Sequence, residues 1–463
     1  MRTSWMNFFR NNRGAVAPIV AMAVGALVAA AGAATDYARA QMVQTKLSDT
    51  LDAAGLAAGS TMSSQQDVQD TAQNYFKVNF PSGYMRSSAQ LTGVTANQTG
   101  TVLTLHATAN VPTVFMQMMG IDSIPVSADT EITRKSGGLE LALVMDNTGS
   151  MAGTKIQSLI SAASELVDIL FGDDTTKDDL WIGLVPFSQA VNIGPSRSSW
   201  INSTYKTLDW GPSGYNVWAG CVDARVTGGG NITDDPPTSS PFNAYYWPSD
   251  SYNTWKTTTT KKGKTTTTYS TFTTTVGPNA YCPQPLQIMS NSKSTVLTGI
   301  QTMQARGNTH IDVGAVWGWR MLSPRWRGLW GGAMNTNNLP LDYSSPNMTK
   351  AAVILSDGDN TMSSQIYTAY GYLSQGQLGT TNATTAVKKL DSNLLSVCTA
   401  MKSHGIKIYT ILFDVDASDT NAINLFKKCA SADDYFFNSP TNAELEKAFQ
   451  QIGDSLSNLR VSK

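Results

Sequence analysis

The chain has 463 residues, 41% of them hydrophobic, so it is long enough for two or three domains with their own cores. Its formal net charge of −1 argues against a nucleic-acid-binding function, which needs an excess of basic residues to meet phosphates. Only three histidines, and four cysteines without Cys-x-x-Cys spacing, argue against a zinc site.

The N-terminus predicts a membrane-spanning helix. Residues 15–34 form an uncharged apolar run, close to the ~20 residues that a helix needs to cross a bilayer. Arginines precede this run and acids do not, so the positive-inside bias predicts that residues 1–13 stay in the cytoplasm. We therefore expect residues 14–36 to span the inner (cell) membrane once, with the rest of the chain periplasmic or otherwise extracytoplasmic.

A cleaved signal peptide is the alternative, because residues 31–33 fit a small-x-small cleavage site. However, no proline follows the span, and Val43, Leu47 and Leu51 recur every four residues. This spacing predicts that one long helix leaves the membrane and continues as an amphipathic stalk, which we place at residues 37–75. The continuity favours a retained anchor.

Residues 76–136 predict a small β subdomain. Apolar and polar residues alternate at 102–109 and again at 124–132, as in half-buried antiparallel strands. We expect this sheet to pack on the long helix. A membrane helix that continues as an amphipathic stalk and is followed by a small sheet resembles the architecture of a pilin, so we describe the subdomain as pilin-like.

Residues 10–59 resemble the N-terminal region of TadG-like proteins from the Tad (Flp) pilus-assembly system. The likeness lies in Arg-Gly before the span, Asp-Tyr after it, and the motif LDAAGLAA at the end of the helix. Many Tad pilins are cut after a glycine with a glutamate five residues further on. Here Gly14 is followed by Ile19 at that offset, which argues against this cleavage.

Residues 137–460 alternate between strand and helix. Four short, almost continuous apolar runs predict buried strands, at 139–145, 180–187, 351–356 and 406–413. Helical segments are predicted near 153–171, 291–305, 311–322, 384–403 and 441–459. The fold class is therefore α/β, with a doubly wound, mostly parallel sheet whose ligands bind at the carboxyl ends of the strands.

An insertion at about 190–288 is rich in Trp, Tyr, Pro and Thr. Within it, WKTTTTKKGKTTTTY predicts a projecting β-hairpin that turns at Gly263, with a disordered Thr-rich loop as the alternative. In oxidising surroundings we expect a Cys221–Cys282 disulfide at the base of the insertion. A Cys398–Cys429 disulfide should join the helices on either side of strand 406–413. The phrases GCVDAR, YCPQPL and HIDVGAVWGWRMLSPRW also resemble TadG-type domains.

Three polar elements follow predicted strands or precede a helix. Asp146, Thr148 and Ser150 follow strand 139–145, Thr309 lies before a helix, and Asp357 ends strand 351–356. Alone, the first element fits a helix N-cap with an Asx-turn. Together, the three place oxygen ligands of the kind that Mg²⁺ prefers at one edge of the sheet. We expect these residues on exposed loops.

The set resembles the metal-ion-dependent adhesion site of von Willebrand factor A domains, which has Asp-x-Ser-x-Ser, a lone Thr and then an Asp. The likeness implies that Thr148, Ser150 and Thr309 bind Mg²⁺ (or Mn²⁺) directly, while Asp146 and Asp357 hold it through waters. Thr148 replaces the usual serine but offers the same hydroxyl oxygen. A dication held by neutral hydroxyls stays electrophilic, so it should take an Asp or Glu carboxylate of a protein partner.

Two nearby features have plainer interpretations. We expect His310 to be a solvated loop side chain rather than a ligand. The Trp- and Arg-rich segment 319–332 could form an interface, but local core and edge packing is the favoured interpretation.

The sequence thus predicts a non-enzymatic, membrane-anchored, TadG-like pilus-assembly protein that binds other assembly components through Mg²⁺. A minor pseudopilin or surface adhesin is the structural alternative. A metal-dependent hydrolase is the enzymatic alternative, and it lacks a candidate base or nucleophile beside the metal.

Overall fold

The computed structural model describes residues 16–59, 65–96, 102–133, 137–212, 217–345 and 348–461. Contacts divide the chain into one unit that ends at Ser136 and a second that begins at Gly137. The predicted cytoplasmic segment 1–13, and Gly14 with it, lie outside the described residues.

A continuous helix, α1 (Val16–Gly59), dominates the first unit. Among the described residues it is the one helix long and apolar enough to cross a membrane, and its most apolar window is only 6% buried. Further along, Val43, Leu47 and Leu51 are fully buried. The predicted change from an apolar span to an amphipathic helix is therefore present within one helix.

A three-stranded antiparallel sheet packs against α1, as predicted. It comprises β1 (Ser88–Ala96), β2 (Val102–Pro112) and β3 (Ser123–Thr133), with β2 in the middle. Apolar residues of α1 and β2 share one core, to which α2 (Gln65–Asn79) also contributes. The range 37–75 predicted as one stalk helix thus covers parts of two helices, because α2 folds back onto α1 to bury its own apolar face.

The second unit is built on an eight-stranded sheet. Its strands are β4 (Gly138–Asp146), β5 (Leu180–Phe187), β6 (Val191–Asn192), β7 (Cys221–Val222), β10 (Gln287–Ser290), β11 (Met348–Ser356), β12 (Lys407–Phe413) and β13 (Phe436–Ser439). Their order in the sheet is β13-β12-β11-β4-β5-β6-β7, with β10 also paired to β5. Strands β4, β5, β11, β12 and β13 are parallel, while β6, β7 and β10 add antiparallel pairs at one side.

Helices cover both faces of this sheet, which confirms the doubly wound fold class. The helices of this unit are α3 (Thr154–Phe171), α4 (Lys293–Gln301), α5 (Ile311–Leu322), α6 (Gly332–Thr336), α7 (Ala383–Ser403), α8 (Thr420–Cys429) and α9 (Asn442–Val461). One face of the sheet packs on α3, α4 and α9, and the other on α5, α7 and α8. All nine residues of β4 are buried, as a central strand covered on both faces requires.

The insertion forms a hairpin and is closed by a disulfide. Strands β8 (Lys256–Lys261) and β9 (Lys264–Tyr269) pair antiparallel through a two-residue turn, which confirms the predicted hairpin. Lys262 and Gly263 both adopt positive φ there, as this tight turn requires. Cys221 bonds to Cys282, and the second predicted disulfide, Cys398–Cys429, joins α7 to α8.

Candidate metal centre

Three loops meet at the carboxyl edge of the central strands. Strands β4 and β11 are parallel neighbours, so the residues that follow them emerge side by side. The loop after β4 binds the loop before α5 through two backbone hydrogen bonds, from Gly149 N–H to Gly307 O (2.8 Å) and from Arg306 N–H to Asn147 O (2.6 Å). The loop after β11 joins them through Thr361, whose N–H donates to Thr309 O (2.9 Å).

Four of the five predicted ligands are linked by direct hydrogen bonds. The hydroxyl oxygens of Thr148 and Ser150 lie 3.0 Å apart, and the Ser150 hydroxyl donates to Asp357 Oδ1 (2.7 Å). Asp146 Oδ1 accepts from the Thr148 amide (2.7 Å), and its Oδ2 accepts from the Ser356 hydroxyl (2.6 Å). The structure therefore gathers Asp146, Thr148, Ser150 and Asp357 into one polar cluster.

Thr309 reaches this cluster through its loop. The Thr309 amide donates to the Thr361 hydroxyl (3.1 Å), and Thr309 is only 6% exposed. The side-chain oxygen Oε1 of Gln189 supports the same loop by accepting a hydrogen bond from the backbone N–H of Asn308 (2.7 Å). The backbone of Thr309 is thus fixed beside the other ligands, while its hydroxyl makes no hydrogen bond to them among the described residues.

The acid at the end of β4 is buried, contrary to the expectation of an exposed loop. Asp146 and Thr148 are at most 1% exposed, Thr309 and Asp357 are also buried at 6% and 8%, and only Ser150 of the five is exposed. Burial raises the pKa of Asp146 to about 7, and the neighbouring charge of Asp357 adds to the shift. The expectation failed because Asp146 is the last residue of a strand that helices cover on both faces, and only the next turn reaches solvent.

Sequence reasoning missed a lysine and a further acid at this edge. Lys155 Nζ lies 2.9 Å from Asp357 Oδ2 and 3.0 Å from Asp414 Oδ2. Although burial lowers the pKa of Lys155, its bonds to these two carboxylates raise it above the ordinary value. Asp414 directly follows β12, so the rule that ligands gather at strand ends could have identified it. Ser356, which fixes Asp146, is the last residue of β11.

The donor set suits a small hard cation. Neighbouring ligands of an octahedral Mg²⁺ lie about 3 Å apart when metal–oxygen distances are about 2.1 Å. The Thr148–Ser150 oxygen separation of 3.0 Å matches this edge, and Ser150 is also the residue of the pair that opens to solvent. The described residues contain no group of three or more His, Cys, Asp or Glu that could hold a metal. The cluster instead combines hydroxyls with two carboxylates, which are oxygen donors of the kind that hard divalent cations take.

His310 is fully buried, so the prediction of a solvated side chain is wrong. Its ring stacks on Tyr370 at 5.9 Å between ring centroids, and neither ring nitrogen has a hydrogen-bond partner. Burial lowers the pKa of His310 to about 3, so the imidazole is neutral. Tyr370 is 60 residues further along the chain, and local sequence gives no signal of this contact.

The Trp- and Arg-rich segment 319–332 is mainly core, which confirms the favoured interpretation. Trp326 and Trp330 are buried and stack on each other with 5.2 Å between centroids. Arg325 forms ion pairs with Asp234 and Asp235 of the insertion. The segment therefore binds the insertion to the rest of the second unit.

No protein-family model and no curated protein matches this chain. Solved structures do match it. The vWF domain of the type V pili tip protein Mfa5 from Porphyromonas gingivalis is 12% identical, with 71% of this chain and 97% of that chain covered and a TM-score of 0.37. The pilus adhesin SpaC from Lactobacillus rhamnosus GG is 9% identical, with 80% and 34% covered and a TM-score of 0.35.

A third match is proximal thread matrix protein 1 from the mussel byssus, solved with a zinc-occupied MIDAS motif. It is 11% identical, with 70% of this chain and 47% of that chain covered and a TM-score of 0.31. All three matches are below 25% in sequence identity and below 0.5 in TM-score, so any function proposed for this chain rests on the chemistry of its own residues.

Proposed function

We propose that the second unit binds a protein partner through a divalent cation, Mg²⁺ or Mn²⁺. In this proposal Thr148, Ser150 and Thr309 bind the cation directly, and Asp146 and Asp357 hold it through waters. The observation that carries the proposal is the hydrogen-bonded row of oxygens from Thr148 through Ser150 to Asp357, spaced at 3.0 and 2.7 Å. Ordinary helix capping does not explain this row, because no hydroxyl of it caps a backbone amide of α3, which begins beyond it at Thr154.

The charge of the ligand set decides what the cation would do. Three neutral hydroxyls leave most of its charge unneutralised, so a bound cation would offer a coordination position to an anionic group. The exposed side of the cluster is at Ser150, where a partner's Asp or Glu carboxylate can approach from solvent. The nearest imidazole in sequence, His310, is fully buried, and burial lowers its pKa to about 3, so it is too weak a base and too enclosed to serve as a general base. We therefore propose binding rather than catalysis.

The N-terminal helix and the disulfides support the location that we propose for this site. The apolar part of α1 is compatible with a single-pass anchor or a signal sequence, and two disulfides indicate an extracytoplasmic compartment. We propose a retained inner-membrane anchor that presents the metal site outside the cytoplasm. There, a TadG-like role in pilus assembly would bring the site to other assembly components.

Metal binding can be measured on the full-length protein in detergent. Titration with Mn²⁺, followed by loss of the free-ion electron paramagnetic resonance signal, should show one site that Mg²⁺ competes for. Ser150→Ala and Asp357→Asn should each weaken this site by about 10- to 100-fold. Ser396→Ala is the matched control, because this exposed hydroxyl on α7 bonds only to a carbonyl of its own helix. Unchanged Mn²⁺ affinity in both site variants would overturn the metal site.

Partner capture then tests the mechanism. Tagged full-length protein should retain pilus-assembly components from solubilised membranes in the presence of Mg²⁺ and release them on addition of EDTA. Ser150→Ala should behave like the EDTA-treated protein, whereas Ser396→Ala should behave like the wild type. If capture is the same with and without EDTA, the partner does not bind through the cation.

A further inference from the structure

A loop of the first unit exposes a group of large apolar side chains. It joins β2 to β3, and its residues 114–121, the apolar loop, contain no charged side chain. Five of its residues are between 41% and 88% exposed: Val114, Phe115, Met118, Met119 and Ile121. Apolar side chains concentrated in this way on a folded unit indicate a contact surface.

The apolar loop is bound to one particular turn of α1. The Asp36 carboxylate accepts the backbone N–H groups of Val114 (2.9 Å), Phe115 (2.7 Å) and Met116 (2.9 Å). One turn earlier, Gly32 lets Phe115 approach closely, since a Cβ on this glycine would lie 2.6 Å from Phe115 Cβ. Position 32 therefore has no room for a side chain while the loop is seated.

The base of the apolar loop is closed by its own hydrogen bonds. The Thr113 amide donates to Asp122 O (3.0 Å), and the Thr113 hydroxyl donates to Ile121 O (2.5 Å). Arg39 of α1 adds a bond to Pro112 O (3.2 Å). These bonds hold the exposed side chains at a fixed height along α1.

That height coincides with the end of the membrane span. The apolar run of α1 ends at Ala34, so Gly32, at a rise of 1.5 Å per residue, lies about 3 Å inside this end. Phe115 packs against Gly32, and the amides of Val114 and Met116 bond to Asp36 one turn further on, so the start of the apolar loop lies at this level of α1. Next to it, Tyr37 is 60% exposed, in the position where aromatic side chains favour the membrane interface.

We propose that the apolar loop inserts into the lipid leaflet beside the span, as a second membrane contact of this chain. The occupant is lipid, because the loop extends the apolar surface of α1 to one side. It does so at the end of the apolar span, which is the level where lipid headgroups would meet the acyl chains. Phe and Met side chains suit this environment, and the loop has no charged residue to desolvate. Since the loop lies on one side of α1, its insertion fixes the rotation of the span about its own axis.

This proposal rests on the retained membrane anchor, and a labelled thiol tests it. The chain has four cysteines and both pairs are disulfide-bonded, so Met118→Cys supplies a single reactive thiol. The purified full-length variant, labelled with the polarity-sensitive fluorophore NBD, is reconstituted at one copy per lipid nanodisc. NBD at residue 118 should emit at shorter wavelength, be quenched by phospholipid with a nitroxide near the headgroup, and resist aqueous iodide.

Val78→Cys is the matched control. Val78 is apolar and 83% exposed in the same unit, but α2 places it near Thr50, on the order of 27 Å further along α1 than Gly32. NBD at residue 78 should be quenched by iodide and not by the nitroxide lipid. If the two labels behave alike and both are accessible to iodide, the loop does not contact lipid and the proposal is wrong.

Two further outcomes separate the proposal from its premise. If the protein fails to enter nanodiscs or to float with liposomes, the anchor itself is wrong. If it enters them but the label at residue 118 becomes shielded only when further copies or other proteins are added, the loop contacts protein instead of lipid. As a second variant, Asp36→Asn weakens the bonds that seat the loop and should reduce nitroxide quenching at residue 118 at least twofold while the chain still floats with liposomes.

Discussion

Asp146 shows why the choice of substitution matters at this site. Both of its carboxylate oxygens accept hydrogen bonds inside the fold, from the Thr148 amide and the Ser356 hydroxyl. Asp146→Ala would leave the buried Thr148 amide without its acceptor and the Ser356 hydroxyl with only its longer bond to Gly358 O (3.3 Å), at a cost of about 1 to 3 kcal/mol for the orphaned amide. If this variant failed to bind the partner, reduced stability of the fold and loss of the metal would both explain the result. Ser150 is exposed, so Ser150→Ala separates the two effects.

Asp312 is a second buried acid, and it makes stability depend on pH. It is fully buried in α5, where its Oδ2 accepts from the Tyr370 hydroxyl (2.5 Å) and the Asn393 amide (3.3 Å). Burial raises the pKa of Asp312 to about 6 from an ordinary value of 3.8. A raised pKa means that the folded state prefers the protonated acid. Its stabilising contribution is therefore complete below about pH 4 and is lost as the pH rises through about 6.

We predict that Asp312→Asn removes this pH dependence. Between pH 4 and pH 7 the free energy of unfolding of the wild type should fall relative to that of the variant by about 3 kcal/mol, the equivalent of a two-unit pKa shift. Urea unfolding of the full-length protein in detergent, followed by tryptophan fluorescence, measures it, because all tryptophans except Trp5 lie in the second unit. The exposed Asp433→Asn is the control, and equal pH profiles for the two variants would contradict the assignment.

At the scale of elements, the pattern of hydrophobic residues predicted the strands and helices that form from contiguous stretches of sequence. Strands buried on both faces read as continuous apolar runs, so β4, β5, β11 and β12 were predicted almost to their ends. The rule that ligands gather at strand ends also pointed to the loops that the structure brings together at one edge.

The missed elements are short or depend on distant residues. Strands β6 and β7 have two residues each, too few to show any alternation. The buried ring of His310 packs on Tyr370, and Lys155 pairs with Asp414, which is more than 250 residues away. Only the folded chain brings such groups together, so pattern reasoning over a short window could not identify them.

The Cys398–Cys429 bond supports an element-scale prediction. It closes 31 residues between α7 and α8, and both cysteines are buried. Closing a loop of this length restricts the unfolded chain, so the double variant Cys398→Ala/Cys429→Ala should lose about 3 to 4 kcal/mol of unfolding free energy. Urea unfolding compares it with the wild type. Peptide mapping without reductant should recover peptides linked 398–429 and 221–282, and free thiols or crossed pairs would contradict both assignments.

At the scale of the whole molecule, the apolar part of α1 and the disulfides favour the same extracytoplasmic compartment. Two disulfides need oxidising surroundings, and both lie in the second unit, after the span in the sequence. Arginines precede the span, and the positive-inside bias predicts export of the residues on its C-terminal side. These observations are independent of each other, because one depends on thiol chemistry and the other on the charge of the N-terminus.

We therefore predict that alkaline phosphatase fused after Lys463 is active, since it needs export, and that β-galactosidase fused there is inactive. The opposite result would place the second unit in the cytoplasm.

The mass of the mature chain distinguishes a retained anchor from a cleaved signal peptide. Cleavage after Ala33 would cut within the continuous helix α1 and remove Gly32, the residue on which Phe115 packs. We expect the mature protein to keep residues 16–33, and a chain that begins near Ala34 would show that α1 does not anchor it.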